Sequence, residues 1–137
     1  MTNDQSAYGI NDNSYQAAGE LSGLINLCDE FYRIMASSAE AKVIYAMHPG
    51  DDVLSSKKLA YFLSGWLGGP KLYRENFGAI NIPCAHAHLP ISTSERDAWI
   101  ICMRKAAAMQ PYTDDFKIYL IEQLKVPAGR ILQACGN

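Results

Sequence analysis

The sequence predicts an all-α fold, and three features carry that prediction. Apolar residues recur with a helical period at several places, a capping box opens one of those stretches, and no two segments alternate in the manner of paired strands. Charged residues make up 19% of the chain and hydrophobic residues 49%, against a usual charged share of about 25%, so there is much to bury. A length of 137 residues fits one domain. The area scaling for its mass leaves roughly 7,000 Å² exposed, which allows a core without covalent staples.

Residues 1–13 carry turn formers such as Asn3, Asp4, Ser6, Asn11 and Asp12, and read as a mobile or loosely docked extension to a domain spanning residues 14–137. A helix is expected over residues 15–27, weakened by Gly19 and Gly23, which point to a close helix approach or a break in two. Leu24, Leu27, Cys28, Phe31, Tyr32 and Met35 then fall at i, i+3, i+4, i+7, i+8 and i+11, a helix with one buried face that ends near residues 36–38. The run Val43-Ile44-Tyr45-Ala46-Met47, closed by His48-Pro49-Gly50, reads as a short helical turn and a loop.

Leu59, Phe62, Leu63 and Trp66 repeat with the same period, and Gly68-Gly69-Pro70 stops that helix. Pro83 suits the first turn of a short helix carrying His86. Ser92-Thr93-Ser94-Glu95 is a capping box, followed by a stripe of Trp99, Cys102, Met103 and Ala106 that runs to about Met109. A last helix starts at Thr113, with Phe116, Tyr119, Leu120 and Leu124 on its apolar side, until Pro127 and Gly129 interrupt or kink it.

A net charge of −2 gives no basic field to hold a polyanion, so nucleic acid is not an expected partner. No apolar run approaches the ~18 residues of a membrane span, and the polar start does not read as a secretory signal. The chain is expected to be cytoplasmic and free of membrane contact. Cys28, Cys84, Cys102 and Cys135 form no Cys-x-x-Cys pair, and Cys28 and Cys102 fall on apolar stripes as small core residues.

Three histidines lie between positions 48 and 88. In an extended segment Cys84, His86 and His88 would face one way and present a zinc or copper site, with Cys102, Cys135 and His48 the remaining donors to complete it. Alternatively, His86 is the one axial ligand of a haem wedged between helices, or both imidazoles are merely hydrogen-bonded at a helix end. Spacing alone leaves the three open.

Other residues stand in a recognisable order. Tyr15-Gln16-Ala17-Ala18-Gly19, Phe31-Tyr32, Val43-Ile44-Tyr45, Leu67-Gly68-Gly69-Pro70-Lys71-Leu72-Tyr73, Gly78, His86 and Glu95-Arg96-Asp97-Ala98-Trp99 follow one another along the chain. In this order the sequence resembles the group II truncated haemoglobins over about residues 15–107. The resemblance implies a truncated globin-like two-over-two helical sandwich around haem b, iron protoporphyrin IX. Counting without a gap from Gly-Gly-Pro forward and from Trp99 back, the iron ligand it implies is His86, not His88.

On the distal side the resemblance places Tyr32, Tyr45 and Trp99 around a bound gas, with Leu59 and Phe62 filling the wall. Leu63, Trp66, Ile82, Ile91 and Met103 would add apolar walls, and Lys58 and Tyr73 would meet the haem propionates. Tyrosine O–H and tryptophan N–H are donors on apolar bodies, suited to a dry pocket where a bound gas acquires negative charge. Two departures bear on this side: a longer loop, His48-Pro49-Gly50-Asp51-Asp52, and a small Ser55 one turn before Leu59.

The expected function is therefore binding of O2, CO and NO, with O2, NO or peroxide redox chemistry or scavenging favoured over oxygen delivery. An NO dioxygenase or peroxidase-like activity would need a separate reductase, since nothing in the chain resembles a flavin or nicotinamide site. The alternative is a gas sensor or interaction module without turnover.

Overall fold

The computed structural model describes residues 8–39, 41–46, 52–78 and 92–135, apart from the side chains of Val43, Ile44, Asp52 and residues 131–135. All regular structure among the described residues is helical: α1 Asn13–Ala17, α2 Glu20–Ser37, α3 Lys42–Ala46, α4 Asp52–Trp66, α5 Leu72–Phe77, α6 Thr93–Ala108 and α7 Asp114–Cys135. Pro83, Cys84, His86, His88, His48, Ile82 and Ile91 lie outside the described residues, and so does the short helix expected around His86.

The expected stretch over residues 15–27 divides in two, with Ala18 and Gly19 between α1 and α2. All six stripe residues of α2, from Leu24 to Met35, are buried. This helix packs on α4 along one side and on α6 along another, and α6 in turn packs on α7. The result is one helix pair, α2 with α4, laid on a second, α6 with α7. Phe31, Phe116, Leu63, Met103, Leu120 and Leu124 fill the space between them.

Helix α4 departs from its sequence pattern in an informative way. The large residues Leu59, Phe62 and Trp66 are only half-buried, whereas Ser56, Ala60, Leu63, Ser64 and Leu67 are buried. Ser56, Ala60 and Ser64 form a buried row of small side chains four apart, a spacing that lets two helices approach closely. Ser56 Oγ donates to Asp29 Oδ1 on α2 at 2.6 Å, and Ser64 Oγ donates to the Pro70 carbonyl at 2.6 Å.

Gly68 ends α4 in the left-handed region at φ 90°, and a Cβ there would lie 2.0 Å from the Asn11 carbonyl oxygen. A Cβ on Gly69 would meet the Tyr15 ring at 2.5 Å, while the Tyr15 N–H donates to the Leu67 carbonyl at 3.1 Å. The Gly-Gly-Pro block thus seats α1 on the end of α4.

Two expectations are corrected, and one helix is added. Residues 8–12 are not loosely docked: Tyr8 packs on Tyr119 and Phe116 with ring centroids 4.8 and 5.5 Å apart, and its hydroxyl donates to Asp115 Oδ2 at 3.3 Å. Gly9 N–H donates to the buried Ser14 Oγ at 2.9 Å, which donates to Tyr119 Oη at 3.2 Å. Pro127 does not interrupt α7, which runs unbroken to Cys135. A helix-interior proline costs about 3 kcal/mol, and burial of Leu124, Pro127 and Ala128 offsets it. Helix α5 has no counterpart in the sequence reading, because six residues are too few to show a period.

The capping box of α6 forms as read. Glu95 Oε1 accepts from the Ser92 hydroxyl and, at 2.8 Å, from its backbone N–H. These bonds, the side-chain one first, hold the Glu95 carboxyl below its ordinary value of 4.5. A carboxylate whose folded pKa is depressed contributes stability that is complete above the unfolded pKa and is lost as pH falls through the folded one. Below about pH 4.5 the melting temperature of Ser92→Ala should therefore fall less steeply than that of the parent, measured by circular dichroism.

Gly68→Ala should cost about 2 kcal/mol or more, from left-handed strain and the collision with Asn11 together. Gly78→Ala, at φ 87° with no atom of the described residues within 4 Å of the added Cβ, should cost mainly the strain, about 1–2 kcal/mol. Urea unfolding of the two variants measures the difference, and equal midpoints would contradict this account of Gly68.

Candidate functional site

Three helices bring the predicted distal donors to one region. Tyr32, 7% exposed, extends the buried face of α2. Trp99 stands one turn beyond the α6 capping box and is half-buried. Phe31 wedges between them, its ring edge-on to Tyr32 at 5.2 Å and 77° and to Trp99 at 5.2 Å and 66°. Edge-to-face pairs of this kind contribute about 0.5–1.5 kcal/mol each beyond the area they bury. Tyr45, on α3, packs against the same core, and α3 itself rests on α2 and α6.

The half-buried face of α4 supplies Leu59 and Phe62, with Trp66 stacked 5.6 Å from Phe62. Leu63 and Met103 are fully buried behind. Lys58 and Tyr73 gather around a third residue, Phe77: the Lys58 ammonium lies 5.3 Å over its ring, and the Tyr73 ring lies 5.2 Å away. Ser55 is half-buried on α4. The loop over residues 47–51 lies outside the described residues, as do His86, Ile82 and Ile91.

Behind Phe31 the interior is neutral. Burial pushes the Cys28 thiol far above its usual range, and the charge of Asp29 adds to this. Burial likewise raises the Tyr112 phenol, with Cys28 as the lesser cause, and its hydroxyl has no partner among the described residues. Cys28 and Cys102 are both buried, as their stripes predict.

Large apolar side chains left half-covered on α4, neutral O–H and N–H donors on α2 and α6, and a lysine and a tyrosine at one edge suit a flat apolar group that carries carboxylates. The residues present fit a porphyrin. Comparison with known proteins agrees: the bacterial-like globin family matches residues 13–129. The chain belongs to that family.

This globin is 33% identical over 118 residues to the group 2 truncated hemoglobin YjbI of Bacillus subtilis (strain 168), covering 86% of each chain. It is similar to the group II 2-on-2 hemoglobin of Agrobacterium tumefaciens, with TM-score 0.80, 30% identity, and 86% and 92% of the two chains covered. It is also similar to the truncated oxygen-avid haemoglobin of Bacillus subtilis, with TM-score 0.77, 31% identity, and 87% and 98% covered. The resemblance to group II truncated haemoglobins read from the motifs holds, and so does the two-over-two helical fold. The cofactor that the globin fold implies is haem b, and the globin binds small diatomic gases through it.

Sequence reading missed the wedge role of Phe31, although its place on the α2 stripe was clear. It also missed Phe77 and Tyr61, which belong to α5 and to the outer flank of α4. The signal for α5 was present: Pro70 stands just before it and Gly78 just after.

Burial should protect Cys28 and Cys102, and for Cys28 the raised pKa adds to it. Brief alkylation of the native protein at pH 8, followed by peptide mass spectrometry, should leave both unmodified, and the same treatment in denaturant should modify both. Labelling of Cys28 in the folded protein would contradict the packing described.

Proposed function

We propose that this globin holds dioxygen tightly and serves redox chemistry or scavenging of dioxygen, nitric oxide or peroxide rather than oxygen delivery. The observation that carries this reading is the pairing of Tyr32 and Trp99 against Phe31, two neutral donors fixed by packing. Haem b supplies, when bound, an iron that takes the gas and a one-electron couple. His86 is the residue that would hold that iron. Tyr32 O–H and Trp99 N–H donate to the gas, and Tyr45 assists or gates their approach.

Leu59, Phe62, Leu63 and Met103, with Ile82 and Ile91, keep water out. Lys58 and Tyr73 meet the cofactor's carboxylates at the edge marked by Phe77. Each donor contributes about 1.5–3 kcal/mol toward a charged acceptor, roughly tenfold to a hundredfold in affinity. Two such donors slow release, which suits chemistry on the held gas better than delivery. The similarity to a haemoglobin described as oxygen-avid supports the same reading. Electrons come from outside the chain, from a separate reductase or another donor. The partners are therefore small gases and a source of electrons.

Tyr32→Phe and Trp99→Phe should each raise the oxygen dissociation rate by about tenfold to a hundredfold, read by stopped-flow displacement with carbon monoxide. His86→Ala should abolish the haem absorption band and its carbon monoxide shift, whereas His88→Ala should preserve both. Mixing the oxygenated protein with nitric oxide tests for dioxygenation. Unchanged oxygen release in both aromatic variants would end the case for a gripping distal site.

A further inference from the structure

Helix α7 turns Phe116, Leu120 and Leu124 inward and leaves an outer strip of different character. Ile118 stands on that strip 68% exposed, and Val126 flanks it at 41%. Ile118, Glu122, Lys125 and Gly129 follow one another at spacings of four, three and four. At about 100° per residue they fall within about 60° of one another, so they form a straight seam rather than a scatter over the outer half of the helix. Seams of this spacing belong to helices that pack side by side at a shallow angle.

The seam carries features that the described residues of its own chain do not call for. Gly129 lies in the helix interior, where glycine is a poor helix former, and a Cβ there would meet no atom of the described residues within 4 Å. Ile118 spends an apolar side chain on solvent eleven positions earlier along the same line. Between the two stand Glu122 and Lys125, 62% and 47% exposed and paired with each other at 2.8 Å. The seam therefore reads, in chain order, as a knob, an acid, a base and a gap.

That order is complementary to itself in one orientation. A second copy laid antiparallel, with the two-fold axis between positions 123 and 124, sets Ile118 opposite the second copy's Gly129 and Glu122 opposite the second copy's Lys125, and the converse on the other side of the axis. Each isoleucine fills a glycine gap, and two carboxylates alternate with two ammonium groups around the axis. A parallel copy would instead set acid against acid and base against base. One patch matched to itself is what a two-fold contact requires.

We propose that this seam is the contact between two copies of the chain, an antiparallel pair of α7 helices. At 22 residues the helix is about 33 Å long, and a single strip of that length buries less than the ~1,200 Å² at which stable interfaces begin. The dimer is therefore a weak one that forms as protein concentration rises. The residues read as gas or cofactor contacts lie off the seam, so the proposal stands apart from the function proposed above.

The test is sedimentation velocity of the haem-loaded protein from micromolar to millimolar concentration. The mass should rise from one chain toward two, and added salt should oppose the rise by screening the central charges. Glu122→Lys and Lys125→Glu, each alone, place like charges across the axis and should weaken association about tenfold or more. An equimolar mixture of these two variants should dimerise again, since one then carries two cations on the seam and the other two carboxylates. Ile118→Ser should weaken association about three- to tenfold with the melting temperature unchanged, because that side chain packs on nothing in its own core.

A parent protein that stays monomeric to millimolar concentration overturns the proposal. So does a dimer that Ile118→Ser and both single charge variants leave intact, because association would then belong to another face. A mixture of the two charge variants no more dimeric than either component overturns it as well.

Discussion

The close seat of α4 on α2 is the constraint on which the rest of the molecule depends. Helix α4 carries a buried row of small side chains, Ser56, Ala60 and Ser64, and the bond from Ser56 to Asp29 fastens it to α2. On the same helix the bulky residues Leu59, Phe62 and Trp66 are left only half-covered. A helix that had buried its largest residues against its neighbour would have offered no wall to a cofactor. Here the division of labour between the two faces gives both a tight helix pair and an apolar surface for a flat ligand.

The same logic orders the distal side. Phe31 is fully buried, so it can fix the rings of Tyr32 and Trp99 from behind without itself facing a ligand. The groups around it cannot readily ionise: the Cys28 thiol and the Tyr112 phenol are both pushed up by burial. A backing of low polarity strengthens whatever hydrogen bonds the distal donors make, since little water competes for them.

Much of this was legible in the sequence. The α2 stripe predicted all six buried residues because a helix packed along one face writes its contacts at fixed spacing. The capping box of α6 was readable for a local reason, since its bonds span only three residues. The α4 stripe was read in part: Leu63 is fully buried and Leu59, Phe62 and Trp66 half-buried, while the buried Ser56, Ala60 and Ser64 went unread because hydrophobic spacing registers bulk. The docking of residues 8–12 was invisible, since Tyr8 and Ser14 find their partners on α7, more than a hundred positions away. Of the two outcomes read at Pro127, interruption does not occur, because the helix penalty is local and the burial that offsets it is tertiary.

That long-range clasp of the first turn on the last helix has a bearing on how the chain is made. Tyr8 to Asp115 and Ser14 to Tyr119 join positions 107 and 105 apart, so neither contact exists until α7 has emerged from the ribosome. Closing so large a loop carries an entropic cost of the order of a few kcal/mol, which favours ordering the intervening helices first. During synthesis α2, α4 and α6 are thus in place before the two ends meet, and a nascent chain can sample its cofactor while the terminal latch is still open.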